Sequence, residues 1–202
     1  MKLYYAPGAC SLAPHIVARE AGIDLELEKV DLATKKTESG KDFLTINPNG
    51  YVPALEYEPG QVLTEGPVIQ QYLADKKPAS GLAPANGTIE RYRLQEVLTF
   101  INSEIHKTFG ALFNPKVLPE VREERLGTLR KRFGSIDTKL AGKQFLLGDK
   151  FSVADAYLFV MVSWASHVGL DLSSFANVTA FGARVGARPA VQAALKAEGL
   201  MK

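Results

Sequence analysis

The feature that most constrains this chain is a change of texture near residue 78. Before it, strand and helix signals alternate; after it, the pattern is helical almost to the end. Lys2-Leu3-Tyr4-Tyr5 reads as a short strand, and Pro7-Gly8 breaks it. Residues 11–21 place Leu12, Ile16 and Val17 at helical spacing. Residues 25–30 alternate with period two, as a half-buried strand does. This strand–helix–strand order predicts parallel strands joined by a right-handed crossover. Ala54 to Tyr57 and Gln61 to Leu63 flank Glu58-Pro59-Gly60 and predict an antiparallel hairpin. A helix over 65–74 follows, with Val68, Ile69, Tyr72 and Leu73 along one face. The order β-α-β, loop, β-β-α is that of a thioredoxin-like domain, here residues 1–78.

Lys76 to Gly87 holds two prolines, two glycines and no apolar periodicity, and residues 79–86 are the expected linker. Residues 87–202 read as an all-helical domain, so the fold class is α/β followed by all-α. Its helices fall near 90–109, 119–140, 152–167, 173–185 and 189–198. The 152–167 stretch is nearly all apolar and should be the buried central helix. Ser152-Val153-Ala154-Asp155 fits a capping box at its start, with Phe151 and Ala156 at the staple positions.

Charge and cysteine usage exclude several function classes. Across 202 residues, 24 basic and 22 acidic side chains leave +2, too little for a nucleic-acid grip or a polybasic membrane anchor. The halves differ: residues 1–78 carry 8 basic and 11 acidic side chains, residues 87–202 carry 16 and 11. Glu123 and Glu124 among Arg122, Arg125, Arg130, Lys131 and Arg132 mark a solvated helix face. One cysteine, Cys10, excludes an intrachain disulfide and favours a reducing compartment. No stretch is long and apolar enough to span a membrane, and the expected location is cytoplasmic. Three scattered histidines offer no metal-ligand spacing, so no metal is expected.

Four groups of residues could carry chemistry. Cys10 lies between a strand and a helix, where free N–H groups and the helix dipole can depress a thiol pKa from ~8.5 towards 3.5–7.5; a buried, inert thiol is the plain alternative. Val52-Pro53 precedes the third strand; in a cis bond it would offer Val52's backbone to an extended peptide. Glu65-Gly66 opens the helix after the hairpin, where an N–H could bind a carboxylate and Glu65 an ammonium group. Thr64 is the expected N-cap there. Thr99, Ser103, His106 and Lys107 form a polar stripe on the long helix. His15 and His167 read as structural.

Together these segments resemble a cytosolic glutathione S-transferase of the bacterial beta class. The resemblance is carried by Tyr4 to Ser11, Asn47 to Leu55, Leu63 to Gly66, Glu104 to Lys107 and Ser152 to Tyr157, all in register along the whole chain. It implies a homodimer that binds glutathione as an extended tripeptide. Val52 beside a cis Pro53 would pair with the cysteinyl backbone. Glu65 and Gly66 would hold the γ-glutamyl end, Gly66 standing where many members have Ser. Lys35 and Tyr51 match positions near the glycyl carboxylate. Thr99 and Ser103 would approach the glutathione of the neighbouring subunit. Cys10 would sit beside the glutathione sulfur, assisted by His106, with Lys107 as a nearby positive charge. Tyr5 and Ser11 are the alternatives for holding the thiolate. The expected reaction is conjugation of the thiolate to a small apolar electrophile near Phe109, Phe113 and Trp164. Thiol–disulfide exchange or reductive dehalogenation through a Cys10 mixed disulfide, and a non-catalytic glutathione-binding module, are the alternatives.

Overall fold

Strand β1, Lys2–Tyr5, is the centre of a sheet because both of its edges are paired. In the computed structural model, which describes residues 1–201, it runs parallel to β2 (Glu26–Asp31) and antiparallel to β4 (Ala54–Glu58). The full order is β3-β2-β1-β4-β5, with β3 at Lys36–Thr37 and β5 at Gln61–Leu63. Leu3, Tyr4 and Tyr5 are all buried, as expected for a strand covered on both faces. The βαβ crossover and the β4–β5 hairpin match the expected topology. The two-residue β3 lies outside the sequence reading, being too short for any periodicity. It brings Ser39 to Glu28 on β2, whose buried carboxylate accepts from Ser39 N at 3.2 Å and Ser39 Oγ at 2.6 Å.

Helix α1, Leu12–Glu20, buries seven consecutive residues from Leu12 to Ala18, so it must be covered on more than one side. Helix α2, Gly66–Lys76, covers part of it. The rest is covered by α8, Pro189–Ala197, from the far end of the chain. The molecule accordingly divides into one unit of residues 1–83 with 187–202, and a second of 84–186. This differs from the expectation that 87–202 form one helical domain. Helix α8 buries Val191 and Ala194 and is tied to α1 at both ends. Arg188 donates from Nε and one terminal nitrogen to the Glu20 carboxylate at 2.6 and 2.8 Å. Glu198, just past α8, is fully buried: Oε1 lies 2.9 Å from His15 Nδ1, and Oε2 accepts from Gly8 N at 2.9 Å. His15 is therefore structural, as expected.

The second unit is built around α6, Val153–Trp164, in which every residue from Val153 to Met161 is buried. Its capping box is formed as expected. Asp155 accepts from Ser152 N at 2.8 Å, Ser152 Oγ at 2.7 Å and Leu146 N at 2.8 Å. Around α6 stand α3 (Ile89–Phe100), α4 (Lys107–Leu112), α5 (Pro119–Leu140) and α7 (Ala176–Gly186). Between α3 and α4 the helix does not break, but widens into a π-helical segment, Ile101–His106. Among the described residues no helix is long and apolar enough to cross a membrane.

Removing the Glu198 carboxylate takes the acceptor from the buried His15 Nδ1–H and breaks the bond to Gly8 N–H. Glu198→Ala should therefore destabilise the protein by about 3 kcal/mol, read as a lower denaturant midpoint. Glu198→Gln keeps an oxygen acceptor and should lose less. Equal midpoints for wild type and Glu198→Ala would show that the tie is energetically idle.

Candidate active site

Cys10 sits at the turn from β1 into α1. The loop before it is held by Gly8, whose φ of +70° favours glycine and whose N–H is bound to Glu198. Ser11 does not cap α1; its Oγ accepts from Ala6 N at 3.1 Å and donates to Ala6 O at 3.2 Å. With its hydroxyl spent on this loop, Ser11 is a structural residue. The Cys10 thiol donates to Val52 O at 3.1 Å. Burial pushes its pKa up to about 12; the backbone N–H groups of Cys10 and Ser11 pull it down, and the Glu65 charge adds to the rise. The helix start thus has the expected sign of effect on Cys10, but desolvation outweighs it, and the expected depressed pKa gives way to a protonated thiol. Tyr5 is buried, and desolvation raises its phenol pKa.

Val52-Pro53 is a cis bond, as expected. It touches both flanks of the site. Val52 O receives the Cys10 thiol, and the Pro53 ring lies against Gly66, where an added Cβ would stand 3.7 Å from Pro53 Cγ. That is ordinary contact, so a Ser side chain would fit at Gly66. Lys35 Nζ donates to Gly50 O at 2.9 Å and stands 5.9 Å from the centre of the exposed Tyr51 ring.

Helix α2 starts at Gly66 with Glu65, not Thr64, at the N-cap position. Glu65 has φ 66° and ψ 109°, a strained conformation for a residue with a Cβ, and its side chain makes no capping bond. The Thr64 cap fails because the chain turns through Glu65 instead. The Glu65 carbonyl accepts from Val68 N at 3.0 Å and Ile69 N at 2.9 Å. Pro67 has no N–H, which leaves Gly66 N–H as the first-turn donor for a ligand.

In the second unit His106 closes the π-helical segment. Its Nδ1 lies 2.5 Å from the Tyr157 hydroxyl, which in turn donates to Asn102 Oδ1 at 2.9 Å. Trp164 stands edge-on to the imidazole at 5.1 Å and also packs edge-on to Phe109 and Phe113. Burial first, and the Lys107 charge second, lower the His106 pKa to about 4. Thr99, Ser103 and Lys107 are exposed, and Ser103 Oγ donates back to Thr99 O at 2.9 Å. Tyr157 and Asn102 were absent from the sequence-based candidates. Tyr157 is 51 residues from His106, and nothing local marks the widened turn that brings Asn102 round to the same hydroxyl. Among the described residues no cluster of three or more His, Cys, Asp or Glu could hold a metal ion.

A five-stranded mixed sheet with a cysteine at its first helix and a cis-proline loop beside it places the first unit in the thioredoxin-like fold class. Comparison with known proteins narrows this class. Residues 1–75 match the glutathione S-transferase N-terminal domain and residues 100–189 the C-terminal domain. The chain is 44% identical to glutathione S-transferase GstA of Escherichia coli O157:H7, covering 99% of this chain and 100% of that one. A sphingomonad glutathione S-transferase solved with glutathione superposes with TM-score 0.96 at 51% identity, covering 100% of both chains. The beta-class enzyme of Sphingomonas chungbukensis gives the same TM-score, identity and coverage. The chain belongs to the glutathione S-transferase family, and its likeness to bacterial beta-class members is borne out.

Two pH measurements check these environments. With a thiol pKa near 12, the alkylation rate of Cys10 by iodoacetamide should keep rising through pH 10; a plateau below pH 8 would mean a stabilised thiolate. For His106 the folded pKa lies below the unfolded value of about 6.5. Its contribution is thus fully present above pH 6.5 and lost as pH falls towards 4. Wild type should lose more stability between pH 7 and 4.5 than His106→Gln; parallel curves would show an imidazole that titrates normally.

Proposed function

We propose that the protein binds glutathione along its first unit as an extended tripeptide and conjugates its thiolate to small apolar electrophiles. One observation carries this reading: the Val52-Pro53 loop touches Cys10 on one side and the start of α2 on the other. A peptide paired with Val52's backbone would have its sulfur near Cys10 and its amino-terminal end near Glu65 and Gly66. Glu65 then accepts the γ-glutamyl ammonium group, and Gly66 N–H donates to its carboxylate. Lys35, oriented by Gly50 O and Tyr51, attracts the glycyl carboxylate. The protein acts as a homodimer in the cytoplasm, with Thr99 and Ser103 turned to the partner's glutathione. The exposed Ile89 and Tyr92 on α3 support a covered surface there.

In the reaction the glutathione S–H gives its proton to water and keeps the bonding pair on sulfur, that pair forms a bond to carbon, and the leaving group departs with its electron pair. Held as a neutral thiol with its S–H given to Val52 O, Cys10 does not place a second anion beside that sulfur. This favours conjugation over disulfide exchange, which needs Cys10 as an attacking thiolate. His106 serves as the polar catalytic group of the second unit and Lys107 as a cation. The aromatic faces of Phe109, Phe113 and Trp164 receive the electrophile.

The strained Glu65 gives a test with two readouts. Glu65→Ala and Glu65→Gly should both weaken glutathione binding at least tenfold in calorimetric titration, the loss of a charge-assisted hydrogen bond worth roughly 1.5–3 kcal/mol. Glu65→Gly alone should also raise stability by about 1 kcal/mol, because glycine accepts φ 66° without strain. Unchanged affinity in both variants would remove Glu65 from the site.

A further inference from the structure

Asn47 is buried, and its polar groups are spent on the loop that leads to Val52. Its Nδ2 donates to Tyr51 O at 2.7 Å, its Oδ1 accepts from Asn49 N at 3.2 Å, and its carbonyl accepts from Gly50 N at 2.8 Å. Its own N–H donates to Phe43 O at 2.8 Å. Phe43, wholly buried, is also an anchor for Lys35: the Phe43 N–H donates to Lys35 O at 2.8 Å. Lys35 N donates to Asp31 O at 2.8 Å, so the backbone of Lys35 is fixed at both ends in a left-handed conformation, φ 56°. Its ammonium donates to Gly50 O, and among the described residues no carboxylate stands within ion-pair distance of it. With one of its three donors on Gly50 O, the ammonium keeps two for a ligand anion.

We infer that Asn47 and Gly50 are positioning residues that hold the Lys35 ammonium at the end of the Val52 edge, so that the site selects a carboxylate one residue beyond the ligand's cysteine. The inference rests on the proposed binding of glutathione and assigns the residues that set how its carboxyl end is read. A peptide whose cysteinyl backbone pairs with Val52, and whose amino end lies at Glu65 and Gly66 beside Pro53, runs antiparallel to residues 50–53. The residue after the cysteine then stands opposite Tyr51, and the terminal carboxylate falls at Gly50, where the Lys35 ammonium is bound.

Gly50 has no room for a larger residue unless its neighbours shift. Its φ is +65°, and a Cβ there would stand 3.1 Å from Leu44 Cδ2 and 3.4 and 3.5 Å from Lys35 Cε and Cδ. A methyl group at Gly50 therefore pushes on the Lys35 stem itself. Asn47 acts from the other side of the loop. It holds both Gly50 N and Tyr51 O, so the carbonyl that aims the ammonium and the backbone that meets the peptide are set by one amide. A lysine on a free, rotatable stem loses that freedom when it binds an anion. Here the loss is met during folding, which leaves more of the ion pair to appear as affinity.

Calorimetric titration of the full-length protein with two ligands isolates the effect: glutathione, and glutathione with its glycyl carboxylate converted to an amide. The two have the same length and differ in the terminal charge. Wild type should bind glutathione at least tenfold more tightly than the amide. In Gly50→Ala this preference should shrink to that of Lys35→Ala, through weaker binding of glutathione and with affinity for the amide kept. Asn47→Ala should weaken both ligands, because it also frees Tyr51 O, and should shrink the preference as well. Added to Lys35→Ala, neither substitution should change the preference further; a purely structural role would not show this dependence on Lys35. A wild-type preference retained in either folded variant overturns the inference. Gly50→Ala removes none of the Asn47 side-chain groups and carries the test where Asn47→Ala does not fold. Equal binding of the two ligands by wild type would overturn the role of Lys35, and binding of neither would overturn the glutathione reading. Both outcomes take the inference with them, but they are read on wild type and not on the variants.

Discussion

The buried Glu198 carboxylate is the joint on which the first unit depends. A carboxylate fully out of water is costly unless its oxygens are met by donors. Both oxygens are met here, one by the α1 imidazole and one by the Gly8 amide. Gly8 precedes Cys10 by two residues, so this one interaction sets the loop that delivers the thiol to Val52 O. It also explains why the last helix of the chain leaves the other helices: α1 buries seven residues in a row, and α2 alone cannot cover them. The C-terminal segment completes the core of the N-terminal domain, and the chemistry at Cys10 inherits its geometry from residues 190 positions away.

The pattern of success and failure in reading the sequence follows from this. Elements stated by local periodicity, such as β1, α1, the β4–β5 hairpin and α6 with its capping box, stand where spacing placed them. The Val52-Pro53 loop and the Cys10 turn were legible because strand, breaker and helix follow one another within a few residues. What escaped was set by partners far along the chain. Nothing near Glu198 says it will be buried, and nothing near residue 187 says that the chain rejoins its first unit. Asn102 escaped because a 3.6-residue period carries no sign of a widened turn. The Thr64 cap was a sound local inference defeated by the strained turn at Glu65.

Cys10 shows how a correct local argument can yield the wrong sign. The helix start does favour its thiolate, through the amides of Cys10 and Ser11. Desolvation opposes it and is larger, because the same packing that orders the loop removes water from the sulfur. His106 follows the same logic with the opposite formal charge: burial disfavours the imidazolium, so it too is neutral. Neither proposed catalytic side chain carries a charge near pH 7.

The strain at Glu65 completes the argument. Most helices begin with a Ser, Thr, Asp or Asn whose side chain closes the first turn. Here the preceding residue is Thr64, yet the chain takes a backbone conformation costing about 1–3 kcal/mol for a non-glycine residue. It leaves the Glu65 carboxylate unused by the helix. A cap at Thr64 would be the more stable choice for folding alone. The residue that replaces it is the one whose charge is felt at Cys10 and whose neighbour Gly66 lies on Pro53. Stability given up at a helix start, where the side chain so freed stands among the other groups of the candidate site, is the observation on which the proposed role of Glu65 rests.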